Sequence, residues 1–185
     1  MDILIRRGAI ALLVASIHAA LSPAAAQTRA AAENDVKAVF LYNFGKYVEW
    51  PATAFQEGPH SPLNVCVMAD EAFRQSVERA IADETVRGRP MTLSIPGTPA
   101  ATAGCHILFI GKTEGEATRL LLKKLAGSGT LTVGDSPEFL RLGGAIAFVL
   151  DQDRVRFDVN RAAAAEQGVT ISAKLLRVAR RVMER

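Results

Sequence analysis

Apolar positions along the chain fall into two alternating patterns: stretches that repeat every three to four residues, and short runs that are apolar throughout. The first periodic stretch carries Val36, Val39, Phe40, Phe44, Tyr47 and Val48 on one stripe, with Asn34 or Asp35 as a cap and Pro51 as a stop, and predicts a helix to about Glu49. Leu41 and Tyr42 lie off that stripe, so the helix is apolar nearly all round and is either deeply buried or half of an interface. Residues 52–62 read as loop, and a strand follows over 63–68. Asp70 then opens a helix to about Ala82, and Arg87-Gly88-Arg89-Pro90 turns into a short strand over 91–95. A Pro/Gly/Thr loop to Gly104 precedes a strand over 106–110, which passes through Gly111-Lys112-Thr113 into a helix stopped by Gly127. After a strand over 130–133, Gly134-Asp135-Ser136-Pro137 offers an N-cap with proline at the first helical position. Strands over 145–150 and 154–159 form a hairpin through Asp151-Gln152-Asp153, Asn160 starts an alanine-rich turn, and a final helix begins near Ser172.

Strands alternating with helices through the middle predict a parallel sheet. The expected fold class is α/β: a single domain over 34–185, with a mixed, mostly parallel sheet flanked by helices, a C-terminal β-hairpin and a final helix. The chain shows no repeat and no linker.

Residues 1–26 read as a signal peptide. Arg6 and Arg7 give a basic start, Gly8 to Leu21 is apolar apart from Ser16 and His18, and Ala24-Ala25-Ala26 offers a cleavage site before Gln27. The alternative is a membrane anchor, but the apolar run is shorter than the ~20 residues of a spanning helix. Residues 27–33 form a short leader, and the expected location is the periplasm. Cleavage removes Asp2, Arg6 and Arg7 and lowers the formal net charge from +3 to +2, so the pI of 9.1 gives no nucleic-acid footprint.

Cys66 and Cys105 each sit at or just before an apolar strand. In an oxidising compartment an even pair reads as one disulfide, the alternative being two buried thiols. Catalytic and metal chemistry find little support. His18 leaves with the signal peptide, His60 lies in a loop, and Cys105 and His106, as strand neighbours, point to opposite faces. No spacing resembles a zinc site or a nucleophile elbow. No cofactor, no metal and no enzyme activity is expected. One constellation remains: Asp70, Lys112, Thr113, Asp135 and Ser136 stand at the carboxyl ends of strands, where open α/β sheets bind ligands. Each is more readily a simple helix cap, and the minority reading is a small polar or anionic ligand at that rim. Leu175, Leu176, Val178, Ala179, Val182 and Met183 on the last helix face Lys174, Arg177, Arg180, Arg181 and Arg185 across it. That pattern fits a basic amphipathic surface or an ordinary packed helix.

Several blocks, in order, resemble the YfiR family: Val36-Lys37-Ala38-Val39-Phe40-Leu41-Tyr42-Asn43-Phe44-Gly45-Lys46-Tyr47-Val48-Glu49-Trp50-Pro51, Cys105-His106-Ile107-Leu108-Phe109-Ile110-Gly111, Leu131-Thr132-Val133-Gly134-Asp135, Gly143-Gly144-Ala145-Ile146, Val155-Arg156-Phe157-Asp158-Val159-Asn160, and Gly168 to Leu176. The resemblance implies a periplasmic α/β domain, often dimeric, that represses a membrane-bound diguanylate cyclase through that enzyme's periplasmic part and so lowers cyclic di-GMP and biofilm formation. Some relatives carry a second cysteine pair later in the chain, which this sequence lacks. On this reading Leu41, Tyr42, Glu49, Trp50, Ser172 and Leu175 are the expected partner or dimer surface. The competing expectation is a small-molecule-binding sensor subunit for a histidine kinase or transporter.

Overall fold

The computed structural model describes residues 23–55, 58, 60–111 and 115–184. The expected signal peptide lies almost wholly outside them, as do Lys112 and Thr113. Helices α1 (Pro23–Tyr47), α2 (Glu71–Ile81), α3 (Gly115–Lys124), α4 (Pro137–Arg141), α5 (Arg161–Glu166) and α6 (Ala173–Val178) surround the sheet strands. These are β1 (Val48–Glu49), β2 (Leu63–Met68), β3 (Thr85–Val86), β4 (Arg89–Ser94), β5 (Ile107–Ile110), β6 (Leu131–Gly134), β7 (Ile146–Asp151), β8 (Arg154–Asn160), β9 (Thr170–Ile171) and β10 (Arg181–Met183).

The main sheet has eight strands in the order β10-β8-β7-β6-β5-β2-β4-β3. Strands β4, β2, β5, β6 and β7 run parallel, β8 turns back along β7, and β10 follows β8 in parallel. The hairpin turn at Gln152 and Asp153 takes φ of 49° and 61°, the two positive angles that match strand twist in a two-residue turn. Arg87 and Gly88 do the same between β3 and β4, at 52° and 77°. The α/β class, the mostly parallel sheet, the hairpin and the following helix are as the sequence predicts.

Alternation along the strands splits the core into two layers. Val65, Val67, Ile107, Phe109, Leu131, Val133, Ile146 and Phe148 meet α1, α2 and the α5–α6 region. Cys66, Leu108, Ile110 and Ala147 meet α3 and α4. Helix α1 is seated by an aromatic cluster: Phe44 lies 5.9 Å from Phe148 and 5.2 Å from Phe157, and Phe40 lies 5.4 Å from Phe157. Each fully buried phenylalanine contributes roughly 1.5–3 kcal/mol. On the opposite face Phe139 lies flat on Gly134 and Gly144, where an added Cβ would stand 2.2 and 2.1 Å from its ring.

Three expectations are corrected. Helix α1 does not start at Asn34 or Asp35; the alanine-rich stretch before them has high helix propensity and carries it back to Pro23. Asp35 accepts instead from Ser76 Oγ at 2.7 Å and Arg79 at 2.9 Å on α2. The helix also ends at Tyr47, because Val48 and Glu49 pair antiparallel with Ile171 and Thr170. Its buried line is Lys37, Ala38, Leu41, Phe44 and Val48, while Val36, Val39 and Tyr47 are 45%, 51% and 38% exposed. The phase differs from the predicted stripe because Lys37, a residue that reads as solvent-facing, is buried.

The last helix is the third correction. It stops after Val178, where Ala179 turns extended at ψ 143°, and Arg181–Met183 become the edge strand β10. The cause is Asp158, fully buried in β8. It accepts from Arg180 Nε at 2.8 Å and from Arg181 at 3.1 Å, so the cations that read as a helix surface are drawn onto a carboxylate. Burial alone would raise the Asp158 pKa, but the Arg180 hydrogen bond and both guanidinium charges outweigh it and hold it below 3.8.

Candidate functional site: two ends of one sheet

In doubly wound sheets ligands sit where the strand order reverses, here at the carboxyl ends of β2 and β5. That point is closed by backbone: Gly111 N–H donates to the Met68 carbonyl oxygen at 2.9 Å, and a Cβ on Gly111 would stand 3.1 Å from the Ala69 Cβ. Asp70 caps α2, accepting from Phe73 N–H at 2.9 Å. Ser136 precedes Pro137 at the start of α4, but its hydroxyl makes no cap bond and is buried without a hydrogen-bond partner.

Asp135 is engaged from α1. Lys37 Nζ donates to Asp135 at 2.7 Å and to Glu33, one turn back along the helix, at 2.5 Å. The Lys37 side chain is only 8% exposed. Burial lowers its proton affinity, yet the two carboxylates outweigh that and raise its pKa above 10.5. Asp135 is pushed above 3.8 mainly by burial, with Glu33 and Asp70 adding negative charge and Lys37 opposing. The Lys37 shift comes from two carboxylates holding one ammonium, whereas the Asp135 shift comes from burial that the shared ammonium only partly offsets. A cavity of about 340 Å³ lies beside this group, lined by Lys37, Asp135, Ser136, Phe148 and Arg180 among others. Lys37 and Glu33 went unnoticed in the sequence; a lysine in phase with Leu41, Phe44 and Val48 is the signal that reveals them.

Of the expected partner residues, Glu49 and Ser172 lie on segments that meet. The β1–β9 ladder sets Glu49 beside Thr170, and Ser172 N–H donates to the Tyr47 carbonyl oxygen at 3.0 Å. Ser172 Oγ caps α6 through Leu175 N–H. Leu41 and Leu175 are buried within this chain, so their surface is spent on its own core. Tyr42 packs at the core margin, with Lys46 Nζ 4.7 Å over its ring. What remains open is Glu49 and the outer face of α1, with Val36, Val39 and Tyr47. Asn43, on the same face, bonds back to the Val39 carbonyl oxygen at 2.9 Å.

At the amino ends of the strands, Cys66 and Cys105 form a disulfide, their Cα atoms 5.7 Å apart. Beside it His106 is buried, with Phe55 stacked on its ring at 4.4 Å. Arg89 lies 3.7 Å over the Phe55 ring and donates to the carbonyl oxygens of Gly58 and Ser61 at 2.9 Å. Trp50 Nε1 donates to the His106 carbonyl oxygen at 3.1 Å. No group of three or more histidines, cysteines or carboxylates with metal-site geometry occurs among the described residues.

Comparison with known proteins adds two findings. A family model described as YfiR/HmsC-like matches residues 34–180. A solved structure, the ABC domain in complex with L-Trp from Streptococcus pneumonia, is similar at TM-score 0.44 and 13% identity, covering 71% of this chain and 57% of that one. The chain thus spans little more than half of that protein, whose ligand is a statement about it alone.

Proposed function

The chain belongs to the YfiR/HmsC-like family, and on that premise we propose that it is an exported periplasmic regulator, not an enzyme. In this reading residues 1–26 are removed, the mature domain binds the periplasmic part of an inner-membrane diguanylate cyclase, and cyclic di-GMP and biofilm formation fall. The match over 34–180 carries the proposal. The outer face of α1 supports it, because three apolar side chains on one helix face stay open while Lys37, Ala38, Leu41 and Phe44 on the other are buried. We assign the contact to Val36, Val39, Tyr47, Glu49 and half-buried Trp50, and place self-association into a homodimer on the same face. Tryptophan and tyrosine are enriched where binding energy concentrates.

Deleting the gene is expected to raise cyclic di-GMP and surface attachment in a strain with a working neighbouring cyclase. Unchanged levels in that strain would overturn the repressor reading. The sensor reading is weaker, because the charges at the strand-end rim already answer one another: Asp70 is a cap and Asp135 holds Lys37.

A further inference from the structure

Both ring nitrogens of His106 are committed in a way that only the neutral imidazole permits. Nδ1 accepts from Asn64 N–H at 3.0 Å, which assigns the proton to Nε2. Nε2 lies 3.1 Å from the Ala54 carbonyl oxygen and donates to it. The ring is stacked on Phe55 and meets the Trp50 indole edge-on at 6.3 Å. Trp50 in turn donates to the carbonyl oxygen of His106 itself. One residue therefore fastens the 50–55 segment by two hydrogen bonds and two ring contacts.

A second ring proton keeps the Nε2–H bond to Ala54 and the Trp50 bond to the His106 carbonyl oxygen, but it breaks the bond from Asn64, whose N–H would then face another N–H. It also sets a buried cation against Phe55 with no anion bonded to it among the described residues, and that charge reaches water only if the ring leaves its place between Asn64 and Ala54 and gives up its contacts with the 50–55 segment. From β4, Arg89 faces the ring across Phe55, and its charge opposes protonation. β2 presents Asn64 and the bridged Cys66, the segment before β5 presents the bridged Cys105, and β6 begins with Leu131; none of these carries charge. Among the described residues no carboxylate bonds the ring. Burial first, then Arg89, outweigh the Ala54 carbonyl and place the His106 pKa below 6.5.

We propose that His106 is a protonation-operated latch that holds the 50–55 segment closed over the amino end of the sheet and releases Trp50 and Phe55 in acid. Phe55 forms a wall of two cavities, of about 400 and 430 Å³, so its release joins them. The sign follows from linkage. The pKa is lower in the closed form than in the open one, so the open form binds more protons in the window just below pH 6.5. The closed form is fully stabilised above that window and loses stability as pH falls through it. A further consequence rests on the proposed function: Trp50 adjoins Glu49, so acid alters the surface offered to the cyclase.

Trp50 is the chain's one tryptophan, and its fluorescence reports the latch directly. In the mature protein its emission is expected to shift reversibly to the red with a one-proton midpoint below pH 6.5, at unchanged far-ultraviolet circular dichroism. The midpoint should match the titration of the His106 ring nitrogens by NMR. His106→Gln, whose amide can accept from Asn64 and donate to Ala54 without titrating, should abolish the transition, and His60→Gln should keep it. Emission that stays flat down to global acid unfolding overturns the latch, as does a transition that survives in His106→Gln. Should that variant not fold, the wild-type NMR titration decides: ring protonation must move the Asn64 amide resonance in step, and an unmoved Asn64 amide refutes the latch. Binding to the cyclase's periplasmic domain on both sides of the midpoint separates the two readings. Equal affinity with a working latch removes the consequence for partner binding, and no binding at any pH strikes the proposed function.

Discussion

At the carboxyl end of the sheet Lys37 is buried between Glu33 and Asp135, each of its strong interactions answered by an opposite charge. At the amino end His106 is buried between two rings and two backbone groups, with a cation nearby and, among the described residues, no anion bonded to it. The first arrangement is self-sufficient: it ties α1 to the loop after β6 and leaves little charge for a ligand. The second holds together in one protonation state of the ring, and through Trp50 it adjoins Glu49 just after α1. Buried charge that is paired builds a fold, while a buried titratable group without a counter-ion makes a fold responsive.

The largest test of this contrast is at the amino end. The 39-residue separation of Cys66 and Cys105 corresponds, on the chain-entropy model, to about 4 kcal/mol. The double substitution Cys66→Ala/Cys105→Ala should lower urea-unfolding stability by about that amount and leave the His106 hydrogen bonds in place. A loss near zero would mean that the bridge constrains little. Next comes Lys37→Ala at the opposite end, which leaves two neighbouring carboxylates unpaired. Losing one partner of a buried pair costs 3–5 kcal/mol, and the part exposure of both carboxylates puts this case at about 3 kcal/mol or somewhat less. Asp135→Asn should cost least, within about 1 kcal/mol, because Lys37 keeps Glu33 and the lost carboxylate is one that burial already disfavours. If Asp135→Asn proved as costly as Lys37→Ala, the two carboxylates would not share the ammonium as described.

Much of this architecture was readable from the residues. Asp70 and Asn160 as caps, the Gln152-Asp153 turn and the continuous apolar strands are local signals, and the structure places each element there. What escaped was set by partners distant in sequence. The phase of α1 depends on Lys37 meeting Asp135, nearly 100 residues later. The end of the last helix depends on Asp158, invisible as a sink for Arg180 and Arg181 until β8 buries it. At the candidate site, a first helix apolar nearly all round calls for cover on its second side, and here the 170–175 segment supplies part of it. The bonding of His106 is not legible in the sequence, because its partners Asn64, Ala54 and Phe55 lie 42 to 52 residues away and no local pattern links them.

The contrast also divides the surface, since the rim should be dispensable for binding and the outer face of α1 should not. Val39, 51% exposed at the middle of that face, is the position to change. The decisive measurement is the affinity of the mature protein for the periplasmic domain of a membrane-bound diguanylate cyclase, the proposed partner, compared among wild type, Val39→Glu and Asp135→Asn. An interface charge facing apolar surface is costly, so Val39→Glu is expected to weaken binding at least tenfold, corresponding to about 1.4 kcal/mol, with an unchanged melting temperature. Asp135→Asn should bind as wild type does. Binding that survives Val39→Glu but is lost in Asp135→Asn would contradict the assignment and return function to the strand-end rim.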